Sequence, residues 1–89
     1  MRITNKMLDA RRDTINQMTN RPMQEYSGRK ANAGHIGYEK ATQYQCAKLY
    51  TLLESGGHSR VNSFNTTREL FEYMGGIIDG IRMANGESN

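Results

Sequence analysis

Residues 45–64 read QCAKLYTLLESGGHSRVNSF, and the fold class turns on how they are divided. At their centre, Glu54-Ser55-Gly56-Gly57 is a turn signal, because serine and glycine supply the conformations a tight reversal needs. Upstream, Tyr44, Cys46, Tyr50 and Leu52 alternate as a strand does, with Lys48 interrupting. Cys46, Leu49, Tyr50 and Leu53 fit a helical face about as well, so spacing alone leaves residues 41–53 open between strand and helix. Downstream, Ser59-Arg60-Val61-Asn62-Ser63-Phe64 is a short polar segment with β-formers. A single hairpin accounts for both sides of the turn. Strands are therefore expected around Gln45–Leu53 and His58–Phe64.

After the hairpin, Thr66-Thr67-Arg68-Glu69 has the spacing of a capping box, threonine at the cap and glutamate three residues on. Leu70, Phe71, Met74, Ile77, Ile78 and Ile81 then fall on one helical stripe, which predicts a closing amphipathic helix to about Ala84. Gly75, Gly76 and Gly80 each weaken such a helix by about 1 kcal/mol relative to alanine. Gly76 and Gly80 share a flank with Tyr73 and would leave a groove. The hairpin or first helix packs into it, a second subunit does, or the spacing is chance.

On the N-terminal side, Thr4 is a cap candidate for a first helix. Leu8, Arg11, Ile15 and Met18 follow helical spacing, while Lys6, Asp9, Arg12, Asp13, Asn16 and Asn20 make the remaining face polar. Thr19-Asn20-Arg21-Pro22 ends this helix, because proline disfavours helical geometry in the residue before it. Met23–Gly37 shows no periodicity and reads as a long loop.

These elements add up to an α+β fold of the order α-β-β-α, a two-stranded antiparallel hairpin with both helices on one face. Residues 1–84 form one domain and residues 85–89 a flexible tail. A chain of 89 residues buries roughly 60–65 % of its unfolded surface, and a lone hairpin is marginal in water, so a homo-oligomer is a reasonable expectation. Cys46 is the only cysteine, which excludes an internal disulfide and suits a reducing compartment; a partly buried structural role is expected for it. The opening Met1–Lys6 turns polar too soon for a signal peptide, and no run of about 18 apolar residues offers a membrane span. A cytoplasmic location follows. Net charge is +3, which permits a nucleotide or nucleic-acid partner without requiring one.

Several short blocks in series resemble a group of small, largely uncharacterised proteins encoded by bacteriophages and prophages. They are Asn5-Lys6-Met7-Leu8, Arg11, Ile15-Asn16-Gln17-Met18-Thr19, Pro22, Tyr26, Gly34-His35-Ile36, the Glu54–Gly57 turn, Thr67-Arg68-Glu69-Leu70-Phe71 and Ile78-Asp79-Gly80. Where members carry a glycine–tyrosine run before the hairpin, this chain has Ala41-Thr42-Gln43-Tyr44-Gln45-Cys46. The resemblance implies an accessory protein that binds and disables a host component, with host defence systems as one class of target. It supplies no catalytic residues.

Arg21, Tyr26, Arg29, Lys30, His35, Tyr38 and Lys40 gather cations and aromatic rings in and around the long loop, a mixture that can pair with phosphates and stack on bases. Solvated loops often have the same composition. Arg60, with Gly56-Gly57-His58-Ser59, could add a guanidinium and backbone amides for an anion, although the glycines also suit a plain hairpin turn. The two histidines and Cys46 lack metal-ligand spacing, and Glu69, Glu72 and Asp79 read as a solvated helix face. No enzyme, cofactor or metal is expected. The primary expectation is a protein that acts by binding a host protein; sequestration of a nucleotide or oligonucleotide, and nucleic-acid regulation, are the alternatives.

Overall fold

Helix α1 spans Asn5–Met18 in the computed structural model, which describes residues 2–86. The Thr4 hydroxyl accepts from the Met7 amide at 3.2 Å and so satisfies one of the first-turn donors. The helix closes where expected, through Asn20 in the left-handed region at φ 58°. Asn20 and Arg21 donate their amides back to the carbonyls of Gln17 and Asn16, a Schellman closure with asparagine in glycine's usual place. Pro22 follows at once.

Met23–Gly37 is more ordered than its composition suggests. Two-residue strands β1 (Tyr26–Ser27) and β2 (Lys30–Ala31) pair around Gly28, whose φ of 63° the turn requires. The next strand, β3, spans Ile36–Glu39 and pairs antiparallel with β4 (Ala47–Leu52); β4 pairs in turn with β5 (His58–Phe64). The main sheet therefore has three strands in the order β3-β4-β5, not the two expected, and the fold remains a mixture of α and β. β3 escapes a periodicity test because it offers only Ile36 and Tyr38 on one face, separated by a glycine. The first hairpin strand begins at Ala47 rather than Gln45. Tyr44 is 89 % exposed and Cys46 is exposed too, against its expected structural role.

The hairpin turn forms as read: Leu53 donates its amide to the Gly57 carbonyl at 2.8 Å across Gly56, at φ 88°. A bulge between Leu49 and Tyr50 shifts the β4–β5 register, so that Leu49 faces Asn62 and Tyr50 faces Arg60. Ile36, Ala47 and Leu49 point to one face of the sheet and share a core with Leu8 and Ile15 of α1 and Leu70, Met74 and Ile78 of α2 (Thr67–Ala84). Both helices thus lie on the same face. The Thr66 capping box is complete, with Glu69 and Thr66 each bonding the other's amide at 3.1 Å.

Of the six-residue stripe of α2, Leu70, Met74 and Ile78 are buried, while Phe71, Ile77 and Ile81 are half-buried. The close-packed glycine of this helix is Gly75, where a Cβ would stand 2.6 Å from the Arg11 guanidinium. Arg11 bonds the Phe71 carbonyl and lies 3.5 Å above the Phe71 ring. Of the expected groove, Tyr73 meets Phe64 of β5 with ring centroids 5.0 Å apart, while among the described residues nothing comes within 4 Å of a Cβ placed at Gly76 or Gly80. Among the described residues no helix is long and apolar enough to cross a membrane. Of the expected tail, Asn85 ends α2 through a bond to the Ile81 carbonyl, and residues 87–89 lie outside the described residues.

Candidate functional site

β3 is an edge strand, and an edge strand exposes alternate backbone groups that need partners. At Ile36 those groups are taken by a side chain. Asn16, fully buried on α1, accepts from the Ile36 amide at 2.9 Å and donates to the Ile36 carbonyl at 3.1 Å. His35 supports the arrangement from the side: its Nδ1 sits 2.9 Å from the Pro22 carbonyl oxygen and 3.4 Å from the Asn16 side-chain nitrogen.

One step along the edge lies Tyr38. In an antiparallel ladder, residues alternate between bonding their partner and turning outward. Ile36 turns outward to Asn16, so Tyr38, two residues on, also directs its amide and carbonyl away from β4. Among the described residues no side chain hydrogen-bonds them. An open cleft of about 550 Å³ runs along this part of the edge. One wall is α1, through Asn5, Asp9 and Arg12; Glu25, Glu39 and Tyr50 form much of the other.

Two phenols anchor the cleft. The Tyr38 hydroxyl donates to Asp9 at 2.6 Å, and burial together with this hydrogen bond pushes its pKa up to about 12. Tyr50 is likewise pushed up to about 12, first by burial and then by the neighbouring carboxylates of Glu25 and Glu39. Both remain protonated donors at neutral pH. The Tyr50 ring lies over Gly37, where a Cβ would come within 2.5 Å of it, and stacks on His58 at a centroid distance of 3.7 Å.

Arg12 is held by Asp9 at 3.1 Å and Asp13 at 3.0 Å, and Glu39 by Lys48 at 2.8 Å. With those pairs made, the second oxygens of Asp9 and Glu39, Glu25 beside the Tyr50 hydroxyl, and the side chains of Asn5, Thr42 and Gln45 are acceptors that line the cleft, together with the cations Arg12 and Lys40. Such a surface can receive hydrogen-bond donors and cations.

The residues singled out from sequence are not all brought together. Tyr38, Lys40 and the buried edge of His35 line the cleft; Arg21, Tyr26, Arg29, Lys30 and Arg60 do not. Arg21 spends one nitrogen on the Gly34 carbonyl at 2.8 Å. Tyr26, Arg29 and Lys30 stand on the exposed β1–β2 hairpin, and Arg60 on the outer strand β5. Tyr73, Gly76 and Gly80 lie on α2, and none of them lines either cleft. The glycine turn at 56–57 uses its amides within itself, Gly56 on Leu53 and Gly57 on Ser55.

Asp9, Asn16, Glu25 and Tyr50 went unflagged. Asn16 carried a signal, being eight residues beyond Leu8 and therefore on the buried stripe. A smaller cleft of about 200 Å³ between the helices involves Arg11, Asp79 and Arg82. Among the described residues, no three histidine, cysteine or acidic side chains are grouped to hold a metal. Comparison with protein-family models, curated proteins and solved structures found no match to this chain.

Proposed function

We propose that this chain is a small phage-type accessory protein that works by binding a host protein, with a component of host defence as the target class, in the host cytoplasm. Catalysis is no part of the proposal. What supports it is the cleft along β3: an open polar surface beside backbone groups without partners, built from donors and acceptors that are fixed in place. The resemblance of its sequence blocks to phage and prophage proteins suggests the biological context. Asp9, Glu25 and Glu39 outnumber the cations Arg12 and Lys40 around the cleft, which weighs against nucleotide capture at this place.

An affinity pull-down from host lysate, with mass spectrometry of both proteins and small molecules, tests the proposal. One host protein retained in stoichiometric amount is the expected result. Recovery of a nucleotide or nucleic acid, with no protein, would overturn it.

A further inference from the structure

Resting on that binding proposal, we infer that the edge of β3 at Tyr38 accepts an extended segment of the partner carrying lysine or arginine side chains, added to the sheet as a fourth strand. Two independent features specify this occupant. The first is the backbone. Tyr38 presents an outward amide and carbonyl, and an extended chain supplies the complementary pair at strand spacing. A residue of extended chain occupies roughly 160 Å³ in a sheet, from a rise of about 3.3 Å, a spacing of about 4.8 Å and a layer of about 10 Å. The 550 Å³ cleft thus takes roughly three to four residues. Asn16 sets the limit of the site, because the Ile36 groups are already satisfied and a guest strand cannot continue past Tyr38 in that direction.

The second feature is charge. Side chains of an added strand alternate between the two faces of the sheet. Asp9, paired with Arg12 through one oxygen, keeps its second oxygen beside Tyr38 on the helix face, and Glu25 stands beside Tyr50 on the other. Successive side chains of the guest therefore meet a carboxylate on each side, and with Arg12 and Lys40 counted against Asp9, Glu25 and Glu39 the cleft keeps one negative charge in excess, which favours basic residues over acidic ones.

The test pans a random dodecapeptide display library against the full chain and maps the recovered peptides by the amide NMR shifts they cause. Peptides rich in lysine or arginine are expected, with the largest shifts at Tyr38 and its neighbours in β3. Binding should fall about tenfold in the double variant Asp9→Asn, Glu25→Gln, which leaves the backbone edge intact. Tyr38→Pro, with folding checked by circular dichroism, removes the outward amide at a position where an edge strand tolerates proline, and should abolish binding. Neutral or acidic peptides, shifts centred on β5 or α2, or no recovered peptide would overturn the inference. The two proposals fail separately. A host protein held equally by wild type and Tyr38→Pro sinks the edge site alone, whereas basic peptides seated on β3 without any host protein sink the host-binding proposal alone.

Discussion

The side-chain amide of Asn16 stands where a neighbouring strand would, bonding both backbone groups of Ile36 at 2.9 and 3.1 Å. A helix residue thereby closes one position of a sheet edge twenty residues further along the chain. The same contact fixes the height of α1 over the sheet. It also decides where the edge stops being covered and the cleft begins.

Asn16→Leu should be among the most damaging single substitutions. It leaves a buried amide and a buried carbonyl unsatisfied, at about 1–3 kcal/mol each. A loss of about 3 kcal/mol in urea denaturation is expected. Loss below about 0.5 kcal/mol would show that water reaches Ile36 and that the amide is not needed.

Glycines of this chain should divide by their surroundings. Gly37→Ala drives a Cβ into the Tyr50 ring, which is held from behind by His58, and should cost about 1–3 kcal/mol. Gly76→Ala and Gly80→Ala meet nothing and should each stabilise α2 by about 0.5–1 kcal/mol. Thermal melts of the three variants give the comparison. A destabilised Gly76→Ala would mean that something packs on that flank.

Stability should fall at alkaline pH. Tyr38 and Tyr50 titrate near 12 when folded, against an ordinary value of 10.0. Between those values the folded chain holds protons that the unfolded chain has lost, so unfolding becomes easier as pH rises. Their contribution is complete below pH 10 and declines through pH 12. Absorbance at 295 nm should reveal two late-titrating phenols, and Tyr38→Phe should flatten the decline. An unchanged slope in that variant would place the alkaline weakness elsewhere.

Thr66→Ala removes the hydroxyl that caps α2 and breaks the reciprocal bond with Glu69. About 1 kcal/mol should be lost. Thr66→Ser should recover most of it, because serine supplies the same acceptor. If serine fails, the threonine methyl rather than the cap carries the effect.

The elements legible in the sequence are those whose causes are local. Thr4 and Thr66 announce their helices through hydroxyls that reach amides three residues away. Asn20-Arg21-Pro22 ends α1, and Gly56-Gly57 turns one strand into the next. The stripe through Leu70, Met74 and Ile78 marks a face that water disfavours. Each of these signals sits within one or two turns of the residues it organises, so spacing alone exposes it.

The third strand and the cleft depend on contacts between distant residues. Ile36–Glu39 is too short to show a period, and it becomes a strand by bonding β4 on one side and Asn16 on the other. Asp9 reads as one polar residue among many until Tyr38 donates to it from 29 positions away. Arg21, Tyr26, Arg29 and Lys30 look like one cluster in the sequence, yet none of them lines the cleft where Asp9, Tyr38 and Tyr50 meet. Helical and capping propensities by themselves determined α1 and α2, and the turn at Gly56-Gly57 decided in favour of a strand where the spacing of residues 41–53 left strand and helix open. Only tertiary packing, by choosing which backbone groups are covered and which stay open, decided where the third strand forms and where the cleft beside it lies.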